Sequence, residues 1–469
     1  MTRSRPTLRR RFVAALTPIA LALGAVPLLA PTCGGTGGVQ TFARNSLIIP
    51  MDDCYQNQSD TASYDPFLCP RAAADPGNVI RAYGLVYQLV RNNIAVYWII
   101  APNKAALTSA DLTIQYGNGV PAFLYDWSTG NPSATAPTAS HSITYIGGPF
   151  VVDGSDFARA SQVLQNYRSL YGAVNVHVSN VAFQANVAKT MAGGWSAGGS
   201  VPPKLALLDI GSSGAGTKNS EVVIQGYLTQ AGLDFPGAAG TATGTHGQIY
   251  DRLLMEDFWP AAGGSVTSAN LFKNGYQILW VPHWAAPSSC SDCTGSSCSC
   301  NNKYTAAQID TALRTMGAFS AAGKDVFAEC AGLGSFEGVF ANAPTNTTGY
   351  SSTYRSGASD GSTHFQTQSP TGMWINEAVS PAYFWPGNFS SPLLQIGDFP
   401  FKPASGAVQN YRAAAYKGEA VRLVSDASGS SPTSYDVFTL VPPSASHGTI
   451  VYLGGHSYSG TDGSFQIAG

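Results

Sequence analysis

The chain has 469 residues, of which 44% are hydrophobic and only 11% are charged, and its formal net charge at pH 7 is −2. This balance excludes a disordered chain and a strongly basic nucleic-acid-binding protein, and the length predicts two domains. Because charges are few, Ser, Thr, Asn, Gln and Gly must supply most of the polar surface, which is typical of a secreted globular protein.

Residues 1–32 are predicted to be an export signal and not part of the fold. Five arginines precede an apolar stretch that runs from Phe12 to Ala30 and contains Pro18 and Pro27. A twin-arginine route stays open, but the general secretory route is favoured because arginine clusters are common in such leaders. Without this segment the chain has 20 basic and 27 acidic residues. We therefore expect a periplasmic, cell-surface or extracellular protein that does not bind nucleic acid.

A flexible linker is expected at 33–44. Cys33 follows Pro31-Thr32, which makes a poor lipobox, but the glycine-rich run behind the cysteine would suit the spacer of a lipid anchor. Lipid attachment at Cys33 therefore stays open, and it is the one membrane contact that the sequence suggests.

Residues 45–191 are predicted to form a first α/β domain with a doubly wound parallel sheet. Its expected elements are strands at 47–49, 94–100, 142–152 and 174–178 and helices from 78 and at 155–170. Apolar residues recur at helical spacing from Val79 to Val90, so the first strand, this helix and the next strand form a β-α-β unit. The Gly-, Ser- and Pro-rich run 192–203 predicts a domain linker.

Residues 204–469 are predicted to form a second α/β domain with long polar loops. Its expected elements are strands at 204–210, 277–281, 326–329, 435–441 and 448–453 and helices at 219–231 and from 305. Strands that alternate with helices of this length imply a doubly wound parallel sheet. Such sheets bind ligands at the carboxyl ends of their strands, where Asp209, His283 and Cys330 fall.

Cys330 follows an apolar strand directly and precedes two nearby glycines, Gly332 and Gly334, which is the pattern of a nucleophile elbow. His456 ends a second apolar strand. Parallel packing of the two strands would bring thiol and imidazole to one edge of the sheet. The alternative for Cys330 is a buried core thiol, which is the commonest state of a free cysteine.

Two features of residues 202–458 resemble the class I glutamine amidotransferase-like superfamily, including its ThuA-like branch. They are a cysteine in a strand-turn-helix pattern and a late strand that ends in Gly455-His456. The resemblance implies an amidotransferase-like α/β fold with Cys330 as nucleophile and His456 as base. No acid stands two places after His456, where the amidotransferases carry one, and Glu329 is the acid nearest to the cysteine. Members of the superfamily carry a closing helix after the histidine, so the last layer of the fold is expected to be incomplete.

The other cysteines are predicted to form disulfides in an oxidising compartment. The candidates are Cys54 with Cys69, and Cys290, Cys293, Cys298 and Cys300 among themselves. A structural zinc site remains the alternative for the four clustered cysteines, but the last two are too close in sequence for good tetrahedral ligation. No metal and no cofactor are predicted. The order Thr217-Lys218 after a glycine-rich run reverses the phosphate-loop motif.

Two functions fit these features. The first is a non-catalytic domain that binds a small molecule, a glycan or a surface protein in a cleft formed by Asp209, His283 and Gly332. The second is a thiol-dependent hydrolase or amidohydrolase that uses Cys330, His456 and Glu329, with backbone amides as an oxyanion hole. The fold does not decide between them. The missing acid, the polar loops and the candidate lipid anchor favour binding.

Overall fold

The structure is a computed structural model, and the residues that it describes fall into separate segments. They are 38–56, 78–115, 122–133, 142–172, 174–191, 203–209, 220–233, 249–282, 306–329, 332, 383–384, 389–395, 408–409, 421–426, 435–441, 443 and 448–453. The predicted export signal and Cys33 lie outside these segments. Within them, no helix has the length and apolarity that a membrane crossing requires.

The first part of the fold is built from residues 38–191. In chain order its elements are β1 (Gly38–Phe42), β2 (Leu47–Ile49), α1 (Asp53–Gln56), α2 (Asn78–Arg91), β3 (Val96–Ile99), β4 (Leu112–Gln115), β5 (Ala122–Asp126), β6 (Asn131–Pro132), β7 (Ser142–Tyr145), β8 (Phe150–Val152), α3 (Phe157–Tyr171), β9 (His177–Ser179) and β10 (Phe183–Met191). Eight strands form one sheet in the order β1-β10-β3-β8-β2-β9-β5-β6, and β4 pairs separately with β7.

The prediction of a parallel sheet in this first part is wrong, because every described strand pairing is antiparallel. The strands β2 and β3 do run in the same direction on either side of α2, but β8 is inserted between them. In the same way β2 separates β8 from β9, on either side of α3. Two interleaved split β-α-β units of this kind form the ferredoxin-like arrangement. The predicted strand 142–152 is therefore two strands in two different sheets.

Each face of the first sheet is covered by a separate hydrophobic cluster. On one face α2 and α3 pack through Leu85, Leu89 and Leu164 against strand residues that include Ile49. The opposite face carries Ile48, which lies in a cluster with residues of α1, β4 and β7. Period-two alternation along β2 thus sends successive side chains to the two faces. The result is a buried sheet with the two long helices α2 and α3 on one side and the short helix α1 with β4 and β7 on the other.

The second part of the fold is built from residues 204–453. In chain order its elements are β11 (Lys204–Asp209), α4 (Ser220–Gln230), β12 (Tyr250–Leu254), α5 (Asn270–Lys273), β13 (Tyr276–Val281), α6 (Ala306–Ala321), β14 (Asp325–Glu329), β15 (Tyr383–Phe384), β16 (Val408–Gln409), β17 (Val421–Asp426), β18 (Tyr435–Val441) and β19 (Ile450–Leu453). The sheet order is β12-β11-β13-β14-β19-β18-β17-β15, with β16 paired to β18.

Five neighbouring strands of the second sheet are parallel, from β12 to β19. In order of chain position they follow the sequence 2-1-3-4-5, and antiparallel pairings extend the sheet from β19 through β18 and β17 to β15. Leu205 and Leu207 of β11 pack against Ile224 and Leu228 of α4. The described structure is thus a mixed α/β fold with an eight-stranded antiparallel sheet, a two-stranded antiparallel sheet and a nine-stranded sheet that contains five neighbouring parallel strands.

The helical layer of the first part contacts the end of α4. The Tyr167 hydroxyl of α3 donates a hydrogen bond to the carbonyl of Ala231 at 3.0 Å, and the Gln88 side chain of α2 donates one to the carbonyl of Gly232 at 3.3 Å. A Cβ atom on Gly84 would lie only 1.6 Å from the Ala231 oxygen. Glycine at this position therefore allows the backbones of the two parts to meet.

A buried ion pair ties a second segment, 389–395, to the first part. Lys104 Nζ lies 2.7 Å from Asp111 Oδ2 and also donates to the Ile146 carbonyl at 2.9 Å and to Gln395 Oε1 at 3.1 Å. Both charged side chains are fully buried. The Ser390 hydroxyl donates to the carbonyl of Ala101 and accepts from the Lys104 amide, which secures the same contact.

Candidate functional site

The carboxyl ends of four parallel strands meet at one edge of the second sheet. They are Asp209 of β11, Val281 of β13, Glu329 of β14 and Leu453 of β19. Glu329 lies directly opposite Leu453 because β14 and β19 are parallel neighbours. The prediction that these two strands pack side by side is therefore confirmed. Cys330 is the next residue after β14 and His456 follows β19 by three positions, but both lie outside the described residues.

Alternation along the strands brings Asp209 and Glu329 to the sheet face that carries α4. Leu207 lies opposite Trp280, and Trp280 lies opposite Phe327, so residues in step with these three share one face. The Asp209 carboxylate is 7% exposed and forms an ion pair with Arg252 of β12 at 2.5 Å. The carboxyl edge therefore presents two buried acidic groups on the same side, of which Asp209 is paired with a cation.

Among the described residues, Glu329 is held by an aromatic neighbour, and none of the ion pairs found there includes it. Its side chain is 4% exposed, and the Trp280 indole Nε1 donates a hydrogen bond to Glu329 Oε1 at 2.8 Å. Among the described residues, Glu329 Oε2 has no hydrogen-bond partner. The Trp280 ring packs edge-on against Phe327, with ring centroids 4.9 Å apart.

Burial raises the pKa of Glu329 to about 8, although the hydrogen bond from Trp280 opposes the shift. The carboxyl group is therefore protonated at neutral pH, because desolvation disfavours its charged form. Tyr227 of α4 is close enough to be affected, since burial and then the charge of Glu329 raise the pKa of its hydroxyl to about 12. A protonated Glu329 supplies no negative charge that could orient a protonated imidazole.

Gly332 marks a tight approach of the chain to the end of β13. A Cβ atom at this buried position would lie 2.2 Å from the Pro282 carbonyl oxygen and 2.8 Å from that of Val281. Both contacts are with backbone atoms, which cannot move aside as a flexible side chain could. Gly332 is therefore packed closely against the backbone at the end of β13.

We expect the change Gly332→Ala to lower the free energy of unfolding by about 1–3 kcal/mol, because the new methyl group forces this backbone contact apart. Gly38→Ala is the matched control, since a Cβ atom there meets nothing within 4 Å. The control should change the free energy by no more than about 0.5 kcal/mol. Urea unfolding of both variants measures the difference, and equal effects would show that the turn is not tightly packed.

Most of the other histidine and cysteine residues that were predicted to form sites are not described by the structure. His283, Cys69 and the four cysteines at 290–300 lie outside the described residues, so the zinc and disulfide alternatives for that cluster are unchanged. Cys54 is described and fully buried, and its pairing with Cys69 stays a prediction because Cys69 lies outside the described residues. The described segments contain no group of three or more His, Cys, Asp or Glu side chains arranged to hold a metal ion.

Sequence reasoning missed three residues of this edge: Trp280, Arg252 and Tyr227. Trp280 lies within the predicted strand 277–281, but only His283, which follows this strand, was predicted to line the site. Strand β12, which carries Arg252, was not predicted at all. Its sequence Tyr250-Asp251-Arg252-Leu253-Leu254 does not alternate between apolar and polar residues, so no clear local signal indicated a strand there.

Comparison with protein-family models finds no match to this chain, and comparison with curated proteins finds none either.

Proposed function

We propose that residues 204–453 form a doubly wound, amidotransferase-like domain that binds a small molecule, a glycan or a segment of a surface protein at its carboxyl edge without catalysing a reaction. The observation that carries the proposal is the strand order 2-1-3-4-5. In sheets of this order the crevice for a ligand opens between the first and third strands, which here are β11 and β13. Asp209 and Glu329 end the first and fourth strands beside that crevice.

The electrostatics of the edge support binding over hydrolysis. A thiol-histidine pair is usually oriented by an ionised acid. Of the two described acids at the carboxyl ends of these strands, Asp209 is paired with Arg252 and Glu329 is protonated at neutral pH. Neither is therefore available to orient His456.

The second candidate is the thiol-dependent hydrolase with Cys330 as nucleophile and His456 as base. Two observations favour it: β14 and β19 are adjacent and parallel, and Gly332, two positions after Cys330, lies close to the backbone at the end of β13. Strand adjacency brings the two chain positions to one edge. Inactive relatives of hydrolases also keep an elbow of this kind. Its presence is therefore weaker evidence for catalysis than the state of the two acids is against it.

We also propose that the protein is exported, with the first 32 residues as its signal. The arginine-rich start and the apolar stretch that follows it motivate this proposal. Mass spectrometry of the native protein should find no peptide from 11–30 in the mature form. Recovery of such peptides would contradict export with signal removal.

Thermal unfolding in the presence of candidate ligands tests the binding proposal. The probes are neutral disaccharides, free amino acids and short peptides, each tested on the native chain and on Arg252→Met and Asp156→Asn. A ligand of the edge should raise the Tm of the native chain and of the Asp156 variant, but not that of the Arg252 variant. Turnover of an amide or thioester substrate that disappears in Cys330→Ser would overturn the binding proposal in favour of hydrolysis.

A further inference from the structure

We propose that Glu329 Oε2 donates a hydrogen bond to an acceptor oxygen, a carbonyl or a carboxylate, of the ligand bound at the carboxyl edge. This inference rests on the proposed function, because it assumes that the edge binds a ligand. It goes further by naming the chemical group that the ligand must present.

The hydrogen bond from Trp280 decides which oxygen of Glu329 can act as a donor. Glu329 Oε1 accepts from the indole N–H at 2.8 Å, so the proton of the neutral carboxyl group belongs on Oε2. That atom has no hydrogen-bond partner among the described residues. A buried donor without an acceptor costs about 1–3 kcal/mol, and an acceptor atom of a ligand would remove this cost.

The groups that face Glu329 favour the neutral form. Trp280 of β13 and Leu453 of β19 do not titrate, and Tyr227 of α4 keeps its proton at neutral pH. None of the ion pairs found among the described residues includes Glu329. The raised pKa of Glu329 is consistent with these neighbours, none of which carries a positive charge.

A donor at this position selects among ligands. A carbonyl or carboxylate oxygen would accept the hydrogen bond, whereas an ammonium group has only donors and would meet donor against donor. Sites that place a buried polar group against a ligand reject analogues that lack its partner. We therefore expect amides and carboxylic acids to bind better than amines of the same size.

Nuclear magnetic resonance of the Trp280 indole N–H, assigned with Trp280→Phe, tests the inference. The probes are acetamide, acetate and methylammonium, which are similar in size. Acetamide and acetate should shift the indole signal in a saturable manner, whereas methylammonium should not. In Glu329→Leu, which removes the donor, the affinity for both acceptors should fall at least about tenfold. An equal shift with methylammonium, or an unchanged response in this variant, would overturn the inference.

The variant Glu329→Gln keeps the test decisive if Glu329→Leu does not fold. Its amide can still accept from Trp280 and donate to a ligand, but it does not ionise. Acetamide binding to the native chain should weaken above about pH 8 as Glu329 loses its proton, whereas binding to Glu329→Gln should not change. The same pH dependence in both proteins would contradict the inference.

A failure of the inference can be told apart from a failure of the binding proposal. Saturable probe shifts that leave the Trp280 signal unchanged, but are lost in Arg252→Met, would overturn the role of Glu329 and leave the edge as a binding site. No saturable shift anywhere in the spectrum would overturn the role of Glu329, and the ligand panel described above then decides the binding proposal separately.

Discussion

Replacing Asp111 with alanine should lower the free energy of unfolding by about 3–5 kcal/mol, because it leaves the Lys104 ammonium group charged and fully buried. Burial raises the pKa of Asp111 more than the neighbouring Lys104 lowers it, so the intact pair contributes little net stability. Removing one partner is nevertheless costly, since the remaining charge loses its counter-ion. The Asp111 carboxylate also accepts from the amides of Ala101 and Gly148, which would lose this acceptor as well.

The matched control is Asp156→Ala, which removes an exposed ion pair with Arg159. Exposed pairs contribute only about 0–1 kcal/mol, so this variant should unfold nearly as the native chain does. Urea unfolding at neutral pH measures both variants. Because Lys104 also contacts Gln395, the Asp111 variant should loosen segment 389–395, which is measurable as faster amide hydrogen exchange there. Equal losses in both variants would show that the pair is not buried in solution.

Acidification should destabilise the native chain through His177, which lies fully buried between Tyr145 and Tyr55. Burial lowers the pKa of His177 from 6.5 to about 3. The folded state therefore prefers the neutral ring, and its contribution to stability is complete above about pH 6.5 and is lost as the pH falls toward about 3. The loss amounts to about 1.4 kcal/mol for each pH unit in this window.

The variant His177→Gln isolates this effect, since glutamine can retain a hydrogen bond to Tyr145, whose hydroxyl lies 2.8 Å from His177 Nδ1. Between about pH 6 and about pH 4, the free energy of unfolding should fall more steeply in the native chain than in the variant, by about 1.4 kcal/mol per pH unit. Urea titrations at several pH values provide the comparison. Parallel pH profiles would mean that His177 is accessible to protons in the folded state.

The elements of the second sheet could be predicted because local pattern and position agree there. The predicted strand 435–441 matches β18, and the predicted strands and helices from 204 to 231 match β11 and α4 within one or two residues. Helix α2 was also predicted correctly. It ends beside Asn93, whose φ of 58° lies in the left-handed region that asparagine tolerates. In these segments a single periodicity and clear stop residues determine the structure.

The directions of the strands in the first sheet could not be predicted, because they depend on contacts far apart in the chain. The insertion of β8 between β2 and β3 pairs Ile48 with Val151, and nothing near either residue indicates that pairing. The contacts of the candidate site could not be predicted from the local sequence either. The sequence identified Glu329 and Asp209, but the bond from Trp280 and the ion pair from Arg252 depend on register between strands. A local reading cannot supply that register.

The pH dependence of the reaction between Cys330 and iodoacetamide tests the central claim, that the carboxyl edge binds a ligand without thiol catalysis. The modified peptide is quantified by mass spectrometry, with Cys330→Ser as the control that loses the signal. Labelling should follow the ordinary titration of a cysteine, near about pH 8.5. Rapid labelling near about pH 6 would reveal an activated thiolate and would contradict a purely binding role for this edge.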